Sequence, residues 1–254
     1  MADAKGAALV TGAARRIGRA LALALAREGH DVAVHYGKSA AEAEAVADEI
    51  RALGRRCALI RADLAREADV ASVVPAARSA LGPLRVLVNS ASTFETDDIF
   101  TMTRESWDRH IEANLRAPVK LIQDFAAAAD TQADNLVVNI LDQRVLKLTP
   151  QFFSYTAAKS ALFILTKTLA QALGPRNIRV NAIGPGPTMR NVRQSEADFL
   201  RQTEATVLGR GATTDDLAGA LRYLLGARAV TGQMIAVDGG QHLIWQTPDV
   251  LVGE

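Results

Sequence analysis

Cysteine is almost missing from this 254-residue chain. Cys57 stands alone, so no internal disulfide can form and no cysteine cluster is available to a metal. It reads as a small packing residue in a protein of a reducing compartment. The four histidines, His30, His35, His110 and His242, follow no metal-ligand spacing and read as structural or surface groups. Charge of one sign is also lacking. With 29 basic and 28 acidic residues the net charge is +1, which gives no surplus for binding nucleic acid. No segment approaches the roughly 18 consecutive apolar residues of a membrane span. The opening MADAKGAALVTG runs into strand-like sequence without the charged start and apolar stretch of a signal peptide. Pro- or Ser-rich linkers, repeats and low-complexity tracts are absent too. These absences leave a soluble, cytoplasmic protein as the expectation, and the length suits one large α/β domain, 1–254.

What is present is an alternation of strand and helix. The apolar run Ala7 to Val10 leads into the turn Thr11-Gly12-Ala13-Ala14-Arg15-Arg16-Ile17-Gly18, then into an Ala/Leu-rich helix from Arg19 to Arg27. Further strands are expected at Asp31–Tyr36, Arg56–Arg61, Val86–Val88, Asn135–Ile140, Arg179–Ile183 and Met234–Val237. Helices are expected at Ala40–Leu53, Arg66–Leu81 (with Pro75 inside), Phe152–Leu173 and Thr213–Leu225, and a long helical stretch over 103–129 is interrupted near Asn114 and Pro118. Seven strands alternating with helices specify a single-domain, Rossmann-like doubly wound parallel sheet with helices on both faces.

Ligands of such sheets bind beyond the carboxyl ends of the strands, and the polar clusters of this chain fall there. After the first strand, the turn around Gly12, Ile17 and Gly18 can face backbone amides toward a dinucleotide pyrophosphate; the competing reading is an ordinary strand-to-helix turn. The second strand ends at Tyr36 with no acid to read a ribose 2′-hydroxyl. Lys38, the Ser39 hydroxyl and the following helix N-terminus suit a 2′-phosphate, which favours NADPH over NADH. The competing reading makes Lys38 a solvated lysine and Ser39 an N-cap. Asp63, before Leu64, suits an adenine amino group or a helix cap. Asn89-Ser90-Ala91-Ser92-Thr93-Phe94 and Pro185-Gly186-Pro187-Thr188 follow later strands.

Tyr155 and Lys159 are separated by four residues, hence on one face of a helix, with Asp142 thirteen residues before Tyr155. A phenol of ordinary pKa about 10 exchanges protons poorly at neutral pH, and an adjacent ammonium is expected to lower it. A chance surface pair is the alternative reading.

Together, TGAARRIG, ADL at 62–64, NSAS at 89–92, Asn114, YTAAK at 155–159, RVNAIGPGPT and VDGG at 237–240 resemble the short-chain dehydrogenase/reductase family over almost the whole chain. The resemblance implies a nicotinamide cofactor, hydride transfer, and Asn114, Tyr155 and Lys159 in a proton relay. Two departures are informative. Arg16 stands where the family usually has glycine, and Asp142 where it usually has serine, both as in the pteridine reductases; HYGKSAAEA and NSASTF resemble that subgroup as well. This implies NADPH-dependent reduction of a pterin or folate. Asp142 then shares a proton with Tyr155 for a ring nitrogen, Arg16 clamps phosphates and reaches the substrate, Phe94 stacks on the pterin and Ser92 bonds its edge. Each has a structural alternative: Asp142 as a cap or bridge at a loop or a partner holding Arg144, Arg16 as a phosphate-side cation only, Phe94 as a packing residue. An ordinary carbonyl reductase, acting on a 3-oxoacyl thioester or sugar ketone, is the other enzyme reading, and an NADPH-binding regulator the non-enzymatic one. The stretch 188–210 is expected to form a substrate lid. The apolar tail 241–254, with Trp245, is expected at an interface of a homotetramer.

Overall fold

A computed structural model describes residues 5–251; the first four residues of the opening segment and the last three of the tail lie outside the described residues. Seven strands, β1 (Ala7–Val10), β2 (Asp31–Tyr36), β3 (Cys57–Arg61), β4 (Leu84–Asn89), β5 (Asn135–Ile140), β6 (Ile178–Pro185) and β7 (Met234–Val237), form one sheet. Its order is β3-β2-β1-β4-β5-β6-β7, and all neighbours pair in parallel. The chain leaves β1 toward one edge and returns through β4 toward the other, so a crevice opens where the winding reverses, beyond Val10 and Asn89.

Among the described residues there are eight α-helices, α1 (Arg16–Arg27), α2 (Ala40–Ala52), α3 (Glu67–Leu81), α4 (Arg104–Ile111), α5 (Ala117–Ala128), α6 (Phe153–Leu173), α7 (Glu196–Glu204) and α8 (Thr214–Gly226), of which six cover the sheet. Helices α1, α2 and α8 pack on one face through Leu21, Leu25, Val46, Ile50, Leu221 and Leu224. Helices α3, α5 and α6 pack on the other through Val73, Val74, Leu121, Phe125 and Ala170. Covered on both sides, β1, β5 and β6 are buried at every position, which explains their near-continuous apolar sequences. Burying a side chain such as Phe125 contributes about 2–3 kcal/mol.

Several boundaries move by a few residues. Helix α1 begins at Arg16, not Arg19, because Arg16 itself turns the chain into the helix at a left-handed φ of 54°. Strand β4 extends to Leu84 and Asn89 on either side of its apolar centre. The interruption expected near Asn114 is a π-turn, Glu112–Arg116, joining α4 to α5. Cys57 is half-buried and unpaired, and burial pushes its thiol up to about 11. Among the described residues no helix is long and apolar enough to cross a membrane, and no cluster of metal-ligating side chains occurs.

Candidate active site

The carboxyl ends of β1, β2, β4, β5 and β6 converge on one cleft of about 1370 Å³. That exceeds the roughly 300–1,000 Å³ of a typical small-ligand pocket, as a site shared by two ligands requires. Its dinucleotide-like end is built on close backbone approach. Gly12 has φ 64°, and a Cβ there would sit 2.8 Å from Ala91 Cα; a Cβ on Gly18 would run into the Gly12 carbonyl. Only glycine therefore lets α1 start this close to β1 and β4. Ile17, Tyr36, Asp63, Leu64, Ser90, Ala91, Pro185, Gly186 and Thr188 line the same cleft. So do Lys38, which makes no ion pair among the described residues, and Ser39, whose hydroxyl makes no capping bond to α2. Ser39 stands at the N-cap position of α2 without using its hydroxyl there. Asp63 divides its carboxylate, one oxygen accepting the Ala65 amide in a turn.

One residue holding this end together has no motif of its own. His35, 2% exposed, accepts the Gly12 amide proton at Nδ1 over 3.1 Å and donates from Nε2 to the Ala62 carbonyl over 3.2 Å. The amide can only donate, so Nδ1 is bare and the ring is the neutral Nε2–H tautomer. Burial holds its pKa down at about 4. The ring thus ties the ends of β1, β2 and β3.

At the other end, Tyr155 on α6 donates from its hydroxyl to Asp142 Oδ2, 3.0 Å away, and Asp142 Oδ1 accepts the Arg144 amide over 2.8 Å. Lys159, one turn further along α6, donates to the Ile140 carbonyl at 2.7 Å and lies 5.8 Å from the Tyr155 ring centre. Burial raises the Asp142 pKa against the pull of the Arg144 amide. Burial lowers Lys159 to about 8. Tyr155 is raised well above its ordinary value, first by burial and then by the Asp142 carboxylate. This corrects the expectation that Lys159 lowers the phenol: in the folded chain burial, and after it the adjacent Asp142 carboxylate, hold the proton on the tyrosine. Tyr155 and Asp142 are thus joined by a hydrogen bond whose proton rests on the phenol oxygen.

An aromatic stack closes this end. Phe94 and Phe152 lie parallel with centroids 4.3 Å apart and an interplanar angle of 7°, while the edge of Tyr155 meets Phe94 at 4.8 Å. Guanidinium groups lie over both rings, Arg144 at 4.8 Å from Phe152 and Arg193 at 5.7 Å from Phe94. Arg193 also donates to the Phe94 carbonyl at 2.5 Å. Arg16 reaches across the cleft and donates to the carbonyls of Met189 and Arg190 at 2.9 and 2.8 Å, fastening the glycine turn to the 188–210 segment. Ser92 faces the cleft beside Tyr155.

Two residues of the expected set are not brought to the cleft. Asn114 is fully buried, and its side chain is spent on Thr93, accepting the amide at 2.9 Å and donating to the carbonyl at 2.8 Å. It staples the substrate-side loop instead of facing the site. Asn89 is 2% exposed and donates to Asn139, which donates to Thr166, a polar ladder inside the sheet layer. The last residue of β4 points into the core; the cleft is lined from Ser90 onward. Phe152 and Arg193 carried no recognised signal, and His35 and Arg144 were visible only as part of HYGKSAAEA and as a neighbour of Asp142. For Phe152 and Arg144 the available sign was nearness to Tyr155 and Asp142.

The class follows from this geometry together with comparisons to known proteins. A family model described as enoyl-(acyl carrier protein) reductase matches residues 12–242, and the chain belongs to the short-chain dehydrogenase/reductase family. Among curated relatives, 3-oxoacyl-acyl-carrier-protein reductase FabG of Staphylococcus epidermidis is 35% identical over 240 residues, 93% of this chain and 98% of that protein. Among solved structures, FolM alternative dihydrofolate reductase 1 from Brucella canis, complexed with NADP, superposes with a TM-score of 0.91 at 47% identity, covering 98% of each chain. The FolM alternative dihydrofolate reductase 1 of Brucella suis, also with NADP, gives 0.92 at 49% identity over 96% of this chain and 98% of that one.

Proposed function

We propose that the protein is an NADPH-dependent reductase of a pterin or a related dihydropterin or dihydrofolate, transferring hydride to a ring carbon. The observation that carries the reading is the half-buried Asp142 carboxylate 3.0 Å from the Tyr155 hydroxyl. A carbonyl substrate calls for a neutral hydroxyl donor beside the tyrosine. A nitrogen heterocycle calls for an acid that hands a proton to a basic ring atom, and a carboxyl group with a raised pKa does that. The NADP-bound FolM relatives, at 47% and 49% identity, support the same reading.

The cleft suits the cofactor. The glycine turn admits a pyrophosphate, and Lys38 with the open Ser39 hydroxyl answers a 2′-phosphate. When bound, NADPH supplies the hydride. Lys159 holds the nicotinamide ribose, and Tyr155 with Asp142 delivers the proton. Phe94 offers a ring face to the heterocycle, which takes the place of the Arg193 guanidinium, and Ser92 and Arg16 meet its polar edge. Segment 188–210 serves as the lid, latched by Arg16 and Arg193.

NADPH oxidation measured with biopterin, dihydrobiopterin, dihydrofolate and a carbonyl panel tests this. Turnover of carbonyls without any pterin sinks it. The second reading, a carbonyl reductase with Asp142 a tolerated variant, draws on the 35% identity to FabG. Asp142→Ser separates the two: pterin turnover falls about a hundredfold or more if Asp142 supplies the proton, whereas carbonyl turnover is kept or gained.

A further inference from the structure

Helix α6 carries Tyr155 and Lys159, yet it starts badly. The residue before it, Phe152, is left-handed at φ 55° and ψ 49°, makes no side-chain capping bond, and no acid stands in the first turn. The missing cap arrives from far away in sequence. Asp97 accepts the Phe153 amide with its carbonyl at 3.2 Å and the Ser154 amide with Oδ1 at 3.2 Å; the Ser154 hydroxyl donates to Oδ2. A carboxylate is thereby set at the positive end of a 21-residue helix.

The cap is fixed from behind by His110. Its Nδ1 lies 2.6 Å from the Ser154 hydroxyl, and its Nε2 accepts the Glu95 amide at 3.2 Å. Since that amide can only donate, Nε2 is bare, Nδ1 carries the proton and gives it to Ser154 Oγ, and the serine proton goes to Asp97. Each donor has one acceptor, all pointing one way. The three side chains are 3% exposed or less, so this is not a nucleophile awaiting a substrate. No cation pairs with Asp97 among the described residues; its bonding partners are helix amides and hydroxyls.

We propose that Asp97, held by Ser154 and His110, is a positioning residue that sets the height of Tyr155 against Asp142 and links the substrate-side loop to the start of α6. Tyr155 is the third residue of the helix, within one turn of the cap. The loop 93–97 that presents Phe94 ends at Asp97 itself. Moving the cap therefore shifts the proton donor and the stacking ring together, while the glycine turn and Lys38 are untouched. The inference rests on Tyr155 as proton donor, and its test has an arm that needs no turnover.

Asp97→Ala, Asp97→Asn and Ser154→Ala are to be compared with the parent in three measurements: amide exchange of residues 153–157, NADPH dissociation constant by fluorescence, and kcat and KM with NADPH and dihydrobiopterin. Expected are faster exchange confined to the start of α6, an NADPH affinity unchanged within about twofold, and a kcat lowered about 30- to 100-fold in Asp97→Ala with KM little changed. Asp97→Asn, which keeps one acceptor for the Ser154 amide, recovers most of that loss. If Asp97→Ala does not fold, Ser154→Ala gives the answer through a kcat lowered about tenfold and the same local exchange. Unchanged exchange at 153–157 overturns the proposal, as does a kcat equal to the parent's, or NADPH affinity falling in step with kcat. Should the parent turn over no pterin, the exchange arm still decides the cap while the functional reading fails separately.

Discussion

Protonation of His35 should cost the fold stability and loosen the cofactor end of the cleft at the same time. The ring is neutral in the folded chain, accepting at Nδ1 and donating at Nε2, and burial lowers its pKa from 6.5 to about 4. The sign follows from proton counts. Between the two values the unfolded chain binds the proton and the folded chain does not, so stability is complete above pH 6.5 and falls as the pH drops toward 4. At pH 4.5 the linkage amounts to about 2–3 kcal/mol. His30 and His110 are also lowered by burial and act with the same sign, so wild-type acid sensitivity alone does not isolate His35. The informative comparison is His35→Asn, whose side-chain oxygen can still accept the Gly12 amide but does not titrate. Thermal unfolding of both proteins at pH 7 and pH 4.5 should show the variant losing less on acidification, by about 5–10 °C for a chain of this size. Equal losses in the two proteins would refute the assignment of that proton to His35.

Reversing the charge of Lys38 probes the proposed 2′-phosphate contact. Lys38→Asp should weaken NADPH about 10- to 100-fold and leave NADH within about threefold, read by fluorescence titration; equal weakening would mean the lysine does not read the 2′-phosphate. Leu243 and Trp245 are 58% and 63% exposed in the single chain. We propose that the tail packs in a homotetramer, which light scattering should report as four times the 27.1 kDa chain mass, and which Trp245→Glu should shift to a smaller species.

The sheet was readable because its strands announce themselves in two ways, as short β-branched apolar runs and as polar clusters just past their ends. That second property also located the cleft. What the sequence does not display is direction. Asn89 and Ser90 are neighbours in one motif, yet the backbone alternation turns the first into the core and the second to the cleft. Asn114 is spent on Thr93, a partner 21 residues away. The same blindness inverted the reading of Tyr155. Lysine four residues on is visible in the string, but the burial of the phenol, which raises its pKa most, and Asp142, which reaches it from a different strand end at 3.0 Å and adds to that rise, are not. Contacts such as Asp97 with Ser154, 57 residues apart, and Arg16 with Met189, 173 apart, exist only after the sheet has closed.

The strand order has a consequence for how the molecule is assembled during synthesis. The earliest strand, β1, lies inside the sheet and finds its second neighbour only when residues 84–89 have emerged, so the crevice cannot form while the first third of the chain is alone. Growth from that junction then proceeds outward, β5, β6 and finally β7, each added to an open edge without threading. Until β7 arrives, β6 is the edge. All eight of its residues, Arg179 and Asn181 included, are buried in the finished protein, and it waits as a long strand with unpaired backbone groups. The four residues Met234–Val237 therefore act as a closing strip, and a nascent or truncated chain lacking them is the form of this protein most exposed to aggregation.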